Sequence, residues 1–202
     1  MGYWSWTGRF RKRPHPAVAA LWTGGAALLF LGGCTRHANL PSFGSVPEFA
    51  LTDQTGSAFV STPALAGHVW VADFFFTTCP GPCPRMSSQM HQVQTALGEQ
   101  GVRLVSMTVD PEHDTPAVLA DYAKHFQAQA GVWFFLTGSR EALNHLDKDV
   151  FKLGEVDGSL DHSTRFILVD RKSQVRGYYL TSEPDAITRL IADAKSLLAE
   201  KS

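Results

Sequence analysis

The sequence has only three cysteines in 202 residues, and it has no excess of basic side chains. So few cysteines exclude a small scaffold held together by disulfides. Eighteen lysines and arginines stand against 19 acidic residues, for a formal net charge of −1. No basic stripe is present, so nucleic-acid binding is not predicted. With 44% hydrophobic residues, the composition is that of one globular domain preceded by a leader.

The leader, residues 1–33, lacks an apolar run long enough to cross a bilayer. Its uncharged segment, residues 17–31, follows four basic residues and is shorter than the roughly 20 residues that a spanning helix needs. Two glycines come directly before Cys34, so the pattern predicts a secretory signal with an ending that resembles a bacterial lipobox. Lipidated Cys34 would then be the mature N-terminus. An uncleaved membrane anchor is the alternative, and either one tethers the domain in a bacterial cell envelope, facing the periplasm or the cell exterior.

Cleavage of the leader leaves 14 basic and 19 acidic residues, a formal charge of −5. The other two cysteines, Cys79 and Cys83, follow an apolar run, Val69–Phe76, and precede a helical pattern. The run is typical of a strand buried on both faces. A purely structural disulfide is disfavoured, because closing so short a loop restrains the unfolded chain little. The pair therefore suits thiol redox chemistry or a soft metal ion.

Strands and helices alternate through the rest of the chain, which predicts a parallel core with antiparallel additions. The predicted strands are 48–52, 57–60, 69–76, 102–109, 132–136, 151–156, 164–169 and 174–180. The predicted helices start at Pro84, at 116–127 with Thr115 as N-cap, after Ser139, and at 184–198. This order predicts an α/β, thioredoxin-like fold: a central mixed sheet flanked by helices, with an N-terminal hairpin extension. The domain is assigned to residues 48–202 and a tether to 34–47.

The two thiols are expected at the carboxyl end of a core strand and the start of a helix, where sites in such sheets lie. A helix N-terminus favours a thiolate, so we expect a lowered pKa for Cys79 or Cys83. Enzymes of the thioredoxin type usually place two residues between their cysteines, whereas three stand here, which disfavours a plain oxidoreductase. Two thiolates favour soft ions such as Cu(I).

A third ligand has to come from elsewhere, and most of the eight histidines fall on the leader, the tether or predicted helix faces. His113, in a loop after a core strand, is a weak candidate. His162 lies in the polar loop before the strand at 164–169, where thioredoxins place a cis-proline and this chain has none. It is the better candidate for approaching the sulfurs. Structural zinc is disfavoured, since it usually takes four protein ligands.

Four segments together resemble the Sco/SenC family: FFFTTCPGPCP (74–84), SMTVDPEHDTP (106–116), LTG (136–138) and DHS (161–163). The resemblance covers roughly residues 47–200. It implies a thioredoxin-like fold that binds Cu(I) or Cu(II) through Cys79, Cys83 and His162. It also implies a role at the dinuclear copper centre of cytochrome c oxidase, with the copper-site subunit of the oxidase as partner and another periplasmic copper carrier as a further one. His113 stands where the family often has arginine.

Two functions remain open on these residues. A copper metallochaperone would use all three ligands, whereas a thiol–disulfide oxidoreductase would use Cys79 and Cys83 on a partner's cysteines and would not need His162. The enzymatic status is therefore open, with the chaperone as the primary interpretation. A peroxiredoxin is disfavoured, because it needs a threonine or serine three residues before its reactive cysteine. Asp110 and Asp114 are expected to shape their loop and to cap the next helix.

Overall fold

The computed structural model describes residues 1–2, 40–153 and 164–200. The domain falls within one compact unit, Arg36–Ser202. Its centre is a seven-stranded sheet in the order β2-β1-β5-β4-β3-β6-β7. The strands are β1 (Ala50–Asp53), β2 (Ala58–Val60), β3 (Trp70–Phe75), β4 (Arg103–Thr108), β5 (Trp133–Thr137), β6 (Arg165–Val169) and β7 (Val175–Leu180).

Five α-helices surround this sheet in the described part of the chain. They are α1 (Ser61–Leu65), α2 (Pro82–Leu97), α3 (Pro116–His125), α4 (Arg140–Asn144) and α5 (Ala186–Ala199). A 3₁₀ turn, Gly98–Gln100, extends α2, and a π-helix, His145–Val150, extends α4. No helix of the described residues is long and apolar enough to cross a membrane.

The three central strands are parallel, and all outer pairings are antiparallel. β3 pairs with β4 and β4 with β5 in parallel, whereas β6 runs antiparallel to β3 and pairs with β7. The α/β thioredoxin-like class and the mixed sheet are thus as predicted. The N-terminal hairpin joins the sheet through β1, which pairs antiparallel with β5.

Strand β3 is buried along its whole length because helices cover both faces of the sheet. Val71 and Phe75 face a core formed with α2, α3 and α5. Trp70 and Phe74 face the opposite core, formed with the hairpin, α1 and α4. The strand's continuous apolar sequence follows from this position.

Part of the predicted tether lies along the free edge of β7. The Phe43 N–H donates to the Val175 carbonyl at 2.9 Å, and the Val46 N–H donates to the Ser173 carbonyl at 2.7 Å. The Arg176 guanidinium donates to the backbone carbonyls of Leu40 and Pro41. Residues 40–46 therefore cover an edge that would otherwise expose unpaired backbone groups.

One predicted strand is wrong over its described part. Residues 151–153 are not a strand, since the Phe151 N–H donates to Leu146 and the Leu153 N–H donates to the Asp147 carbonyl. The two apolar side chains that suggested a strand are buried in the core beneath the π-helix instead. The remainder of that prediction, 154–156, lies outside the described residues.

Candidate metal centre

Strand β3, a short turn and helix α2 place the two cysteines. The Cys79 N–H donates to the Phe76 carbonyl at 3.3 Å, which closes the turn after β3. Helix α2 begins at Pro82, two residues earlier than predicted, so Cys83 lies within its first turn. Proline fits this position because the first helical N–H has no acceptor in the helix. Both cysteines therefore lie at the carboxyl end of β3, as predicted.

The two thiols are buried and lie within hydrogen-bonding distance of each other. Cys79 is 7% exposed and Cys83 is fully buried. Burial raises the pKa of the Cys83 thiol, a hydrogen bond with the Cys79 thiol raises it further, and a hydrogen bond with the Phe76 backbone lowers it. The predicted lowering of the thiol pKa is thus wrong for Cys83. Desolvation outweighs the favourable helix N-terminus, because the sulfur is packed in an apolar core.

A raised thiol pKa has a direct consequence for metal binding. A metal binds the thiolate, so a metal that binds Cys83 must displace the proton of that thiol. Two soft sulfur donors already in contact suit a soft cation with a low coordination number. Among the described residues, no group of three or more His, Cys, Asp or Glu side chains is arranged to hold a metal ion. The two cysteines are thus the described part of the candidate site.

The carboxyl group of Asp73 is buried on the face of β3 that packs against α2, α3 and α5, where the two cysteines also lie. The Ser106 hydroxyl donates to its Oδ1 at 2.6 Å, and the Trp133 indole N–H donates to the Ser106 oxygen at 2.9 Å. Its Oδ2 has no hydrogen-bond partner among the described residues. Burial raises the pKa of Asp73 to about 7, and the Ser106 hydrogen bond opposes this shift. A neutral carboxylic acid therefore fits this position at mildly acidic pH.

The loop after β4 contacts the turn that leads to Cys79. Asp114 is fully buried and accepts hydrogen bonds from the Thr77 N–H, the Thr77 hydroxyl and the Thr108 hydroxyl. The next helix, α3, is capped by Thr115, which accepts from the Val118 N–H. The contacts of Asp114 fit the loop-shaping role that was expected of it. The N-cap of α3 is Thr115, which was predicted separately.

His162 lies outside the described residues, as does Cys34, so both assignments stay predictions. The neighbouring structure is informative nevertheless. β6 pairs antiparallel with β3, with Ala72 opposite Ile167. The start of β6 therefore lies at the same end of the sheet as the carboxyl end of β3. Thr164, immediately before β6, is the first described residue after His162.

The histidines within the described residues have other contacts. His113 is exposed, and its Nδ1 lies 2.8 Å from the Asp110 Oδ2. This hydrogen bond raises the pKa of the imidazole. The ring nitrogens of His68 and His145 contact the Gly101 carbonyl and the Asp149 carboxylate. These contacts give structural roles to His68 and His145.

Sequence reasoning missed two features of this region. Asp73 is the single acid in the apolar run 69–76, but its burial and its contact with Ser106 were not inferred. An acidic residue in the middle of a doubly buried strand was the available signal. The contact between Asp114 and Thr77 joins residues 37 positions apart, and no local pattern shows such a contact.

The fold and the paired thiols define a thioredoxin-like α/β protein with a dithiol site. A sequence model of the SCO1/SenC family matches residues 40–199. The chain belongs to the SCO1/SenC family.

The chain is similar to solved structures of this family, of which three are described. A SCO1/SenC family lipoprotein from Bacillus anthracis is 33% identical with a TM-score of 0.69, covering 76% of this chain and 94% of that chain. BsSco, a member of the Sco family of cytochrome c oxidase assembly proteins with a disulfide switch, is 29% identical with a TM-score of 0.70, covering 81% and 98%. Copper-bound ScoI from Bradyrhizobium japonicum is 25% identical with a TM-score of 0.62, covering 76% and 99%.

The raised pKa of Asp73 predicts a pH-dependent stability. Between about pH 4 and pH 7 the unfolded chain ionises this carboxyl while the folded protein keeps it protonated, so the parent loses stability as pH rises. Asp73→Asn removes that loss. The variant should gain stability relative to the parent by up to about 4 kcal/mol over this range, measured by urea unfolding of the reduced protein.

Asp121→Asn is the matched control, because the Asp121 side chain is 81% exposed. It should show little change with pH relative to the parent. If the difference in unfolding free energy between Asp73→Asn and the parent stays constant from pH 4 to pH 8, Asp73 is not a buried, protonated carboxyl.

Proposed function

We propose that this chain is a membrane-tethered copper chaperone. In this proposal it binds Cu(I) and Cu(II) through Cys79, Cys83 and His162 and helps to assemble the dinuclear copper centre of cytochrome c oxidase. The observation that carries the proposal is the pair of touching, buried thiols at the carboxyl end of β3. Family membership supports it, as do the copper-bound ScoI structure and the oxidase-assembly description of BsSco.

His162 is proposed as the third ligand from its place in the chain. It is two residues before Thr164 in the sequence. Thr164 is beside the start of β6, at the sheet end that carries the cysteines. A neutral imidazole beside two thiolates adds a harder donor, which helps the site to hold Cu(II) as well as Cu(I).

Copper is the cargo of this site, and the chain's own groups explain how it is taken up and released. The proton of the Cys83 thiol leaves when copper binds, because burial keeps that thiol protonated in the free protein. Cys79 is the slightly more exposed of the two residues, so a partner's ligands replace those of this protein from the Cys79 side. The proposed recipient is the copper-site subunit of the oxidase, and a second periplasmic copper carrier is the proposed donor.

Removal of the imidazole tests the three-ligand site. His162→Ala should weaken Cu(II) binding by at least about tenfold, since one of three ligands is lost, and should change the absorption of the sulfur–copper complex. Competition with a chelator of known affinity measures binding of each oxidation state to residues 35–202.

His145→Ala is the control, because His145 is an exposed histidine that contacts Asp149. It should bind copper as the parent does. If His162→Ala binds both oxidation states as tightly as His145→Ala, the three-ligand site is wrong.

Thiol–disulfide exchange is the second candidate function, and the contact between the two thiols favours it. The Cys79 sulfur attacks a partner's disulfide and displaces one partner thiolate, which takes up a proton. The Cys83 sulfur then attacks Cys79 in the mixed disulfide, which releases the second partner thiol. The partner gains two electrons, and a Cys79–Cys83 disulfide forms in this protein.

The second function differs from the first because thiol–disulfide exchange does not need His162. Reduced parent protein and His162→Ala should both reduce a disulfide in a peptide with the two copper-site cysteines of the oxidase. Cys79→Ser should not. Free thiols in the peptide are counted by mass spectrometry after alkylation, and failure of the parent to reduce the peptide would eliminate this function.

The membrane tether is proposed from Cys34, which follows two glycines and an apolar segment. A lipidated Cys34 would place the domain in the bacterial cell envelope, facing the periplasm or the exterior. Mass spectrometry of the mature protein is the test: the proposal predicts an N-terminus at Cys34 that carries acyl chains. A mature chain that still contains residues 1–33 would show an uncleaved anchor instead.

A further inference from the structure

A buried carboxylate holds the turn that precedes Cys79. Asp114 is fully buried, and its two oxygens accept hydrogen bonds from both polar groups of Thr77. The Thr77 N–H lies 3.1 Å from Oδ2, and the Thr77 hydroxyl donates to Oδ1. Thr77 is two residues before Cys79 in the sequence, so this contact acts on the backbone that carries the sulfur.

The other side of Asp114 is fixed to the sheet. The Thr108 hydroxyl, at the end of β4, donates to Oδ2 and in turn accepts from the Asp110 N–H at 2.9 Å. The Asp114 N–H also donates to the Asp110 carbonyl at 2.9 Å. The carboxylate is thus held by a rigid strand end, and the turn before Cys79 is held by the carboxylate.

The donors around this contact suit a carboxylate. All three groups that face Asp114 donate to it, and an ionised carboxylate offers only acceptor sites. Asparagine would place an N–H₂ group beside one of these donors, and a threonine hydroxyl would have to turn to accept from it. No lysine, arginine or histidine in the described ranges forms an ion pair with Asp114, so its side-chain contacts are the hydrogen bonds from Thr77 and Thr108.

The two cysteines depend on this contact to different degrees. Cys83 lies within α2, where helical hydrogen bonds and the packed core fix its backbone. Cys79 lies in a turn outside regular secondary structure, where its N–H donates to the Phe76 carbonyl at 3.3 Å. The position of the Cys79 sulfur therefore depends on this turn, and Asp114 is one of the groups that hold the turn in place.

We propose that Asp114 is a positioning residue for Cys79, which holds its sulfur against that of Cys83 for both ligand pairing and disulfide formation. The inference rests on the proposed function for its biological meaning. It concerns the metal-free dithiol itself, so its test does not need copper.

The first test measures the dithiol in the metal-free protein. With glutathione disulfide, Cys79 and Cys83 form one S–S bond and two molecules of glutathione are produced, so the electrons and protons of the two thiols pass to glutathione. In Asp114→Asn the equilibrium constant for this exchange should fall by about tenfold, because a misplaced Cys79 closes the disulfide less readily. The alkylation rate of Cys79 by iodoacetamide should rise by a similar factor.

Asp53→Asn is the matched control. Asp53 Oδ1 accepts from the Thr55 N–H, the Thr55 hydroxyl and the Ser57 N–H, in a hairpin turn far along the chain from the cysteines. Asp53→Asn also removes a carboxylate that accepts from a similar set of donors, so a general loss of stability would appear in both variants. Only Asp114→Asn should change the glutathione equilibrium and the alkylation of Cys79.

Two variants of Thr77 test the positioning role if Asp114→Asn does not fold. Thr77→Val keeps the side-chain shape and the backbone N–H but loses the hydroxyl that donates to Asp114, whereas Thr77→Ser keeps both donors. Thr77→Val should shift the equilibrium and the alkylation rate in the same direction as Asp114→Asn, and Thr77→Ser should restore most of the parent values. Values for Thr77→Val within twofold of both the parent and Thr77→Ser would overturn the proposal.

These measurements also separate this inference from the proposed function. A parent protein that fails to bind copper, combined with Asp114 and Thr77 variants that alter the dithiol as described, would eliminate the chaperone and leave the positioning role intact. A parent that binds copper, combined with unchanged dithiol chemistry in the variants, would overturn the positioning role alone.

Discussion

The site depends on one junction, where a strand buried on both faces runs directly into a helix. β3 lies at the centre of the sheet with apolar cores on either side. It therefore leaves little freedom in the position of the residues that follow it. The turn at Phe76–Cys79 and the early start of α2 at Pro82 then bring the two sulfurs into contact. The proposed ligand pair is thus a consequence of packing in the sheet.

Burial at this junction changes the acidity of the titratable groups that lie there. It raises the pKa of Cys83 and that of Asp73, because both groups lose water on the same face of the sheet. The free protein therefore keeps Cys83 protonated, and a metal has to displace that proton. Asp114 is also buried, but three donors surround it. Both oxygens of Asp114 therefore have donors, whereas Oδ2 of Asp73 has none among the described residues.

Much of this architecture could be predicted from local patterns. The run Val69–Phe76 indicated the buried strand, and Thr115 and Ser139 indicated the starts of α3 and α4, which their side chains cap. The strand predicted at 151–156 was wrong over 151–153. A pair of apolar residues at alternate positions also fits a chain that returns to the core after a helix. Helix α2 was predicted to begin at Pro84, although Pro82 satisfies the same rule for a first-turn proline.

The electrostatics of the site could not be predicted in the same way. The helix N-terminus was expected to lower the pKa of Cys79 or Cys83, whereas burial raises that of Cys83. The direction depends on how much water the fold removes around the thiol, which is a property of the whole core. The contact of Asp114 with Thr77 likewise depends on two strands meeting at one end of the sheet. His162 came from the resemblance and from the position of its loop before β6, and it stays a prediction because it lies outside the described residues. The described structure shows that β6 begins at the sheet end where β3 finishes.

We propose that two sulfurs and one imidazole hold copper in this protein. X-ray absorption spectroscopy of the Cu(I)-loaded domain, residues 35–202, tests it most directly, because it counts the ligand types around the metal. The account predicts two sulfur neighbours and one nitrogen neighbour, with the nitrogen lost in His162→Ala. A first shell of nitrogen and oxygen without sulfur, or an unchanged nitrogen neighbour in His162→Ala, would contradict it.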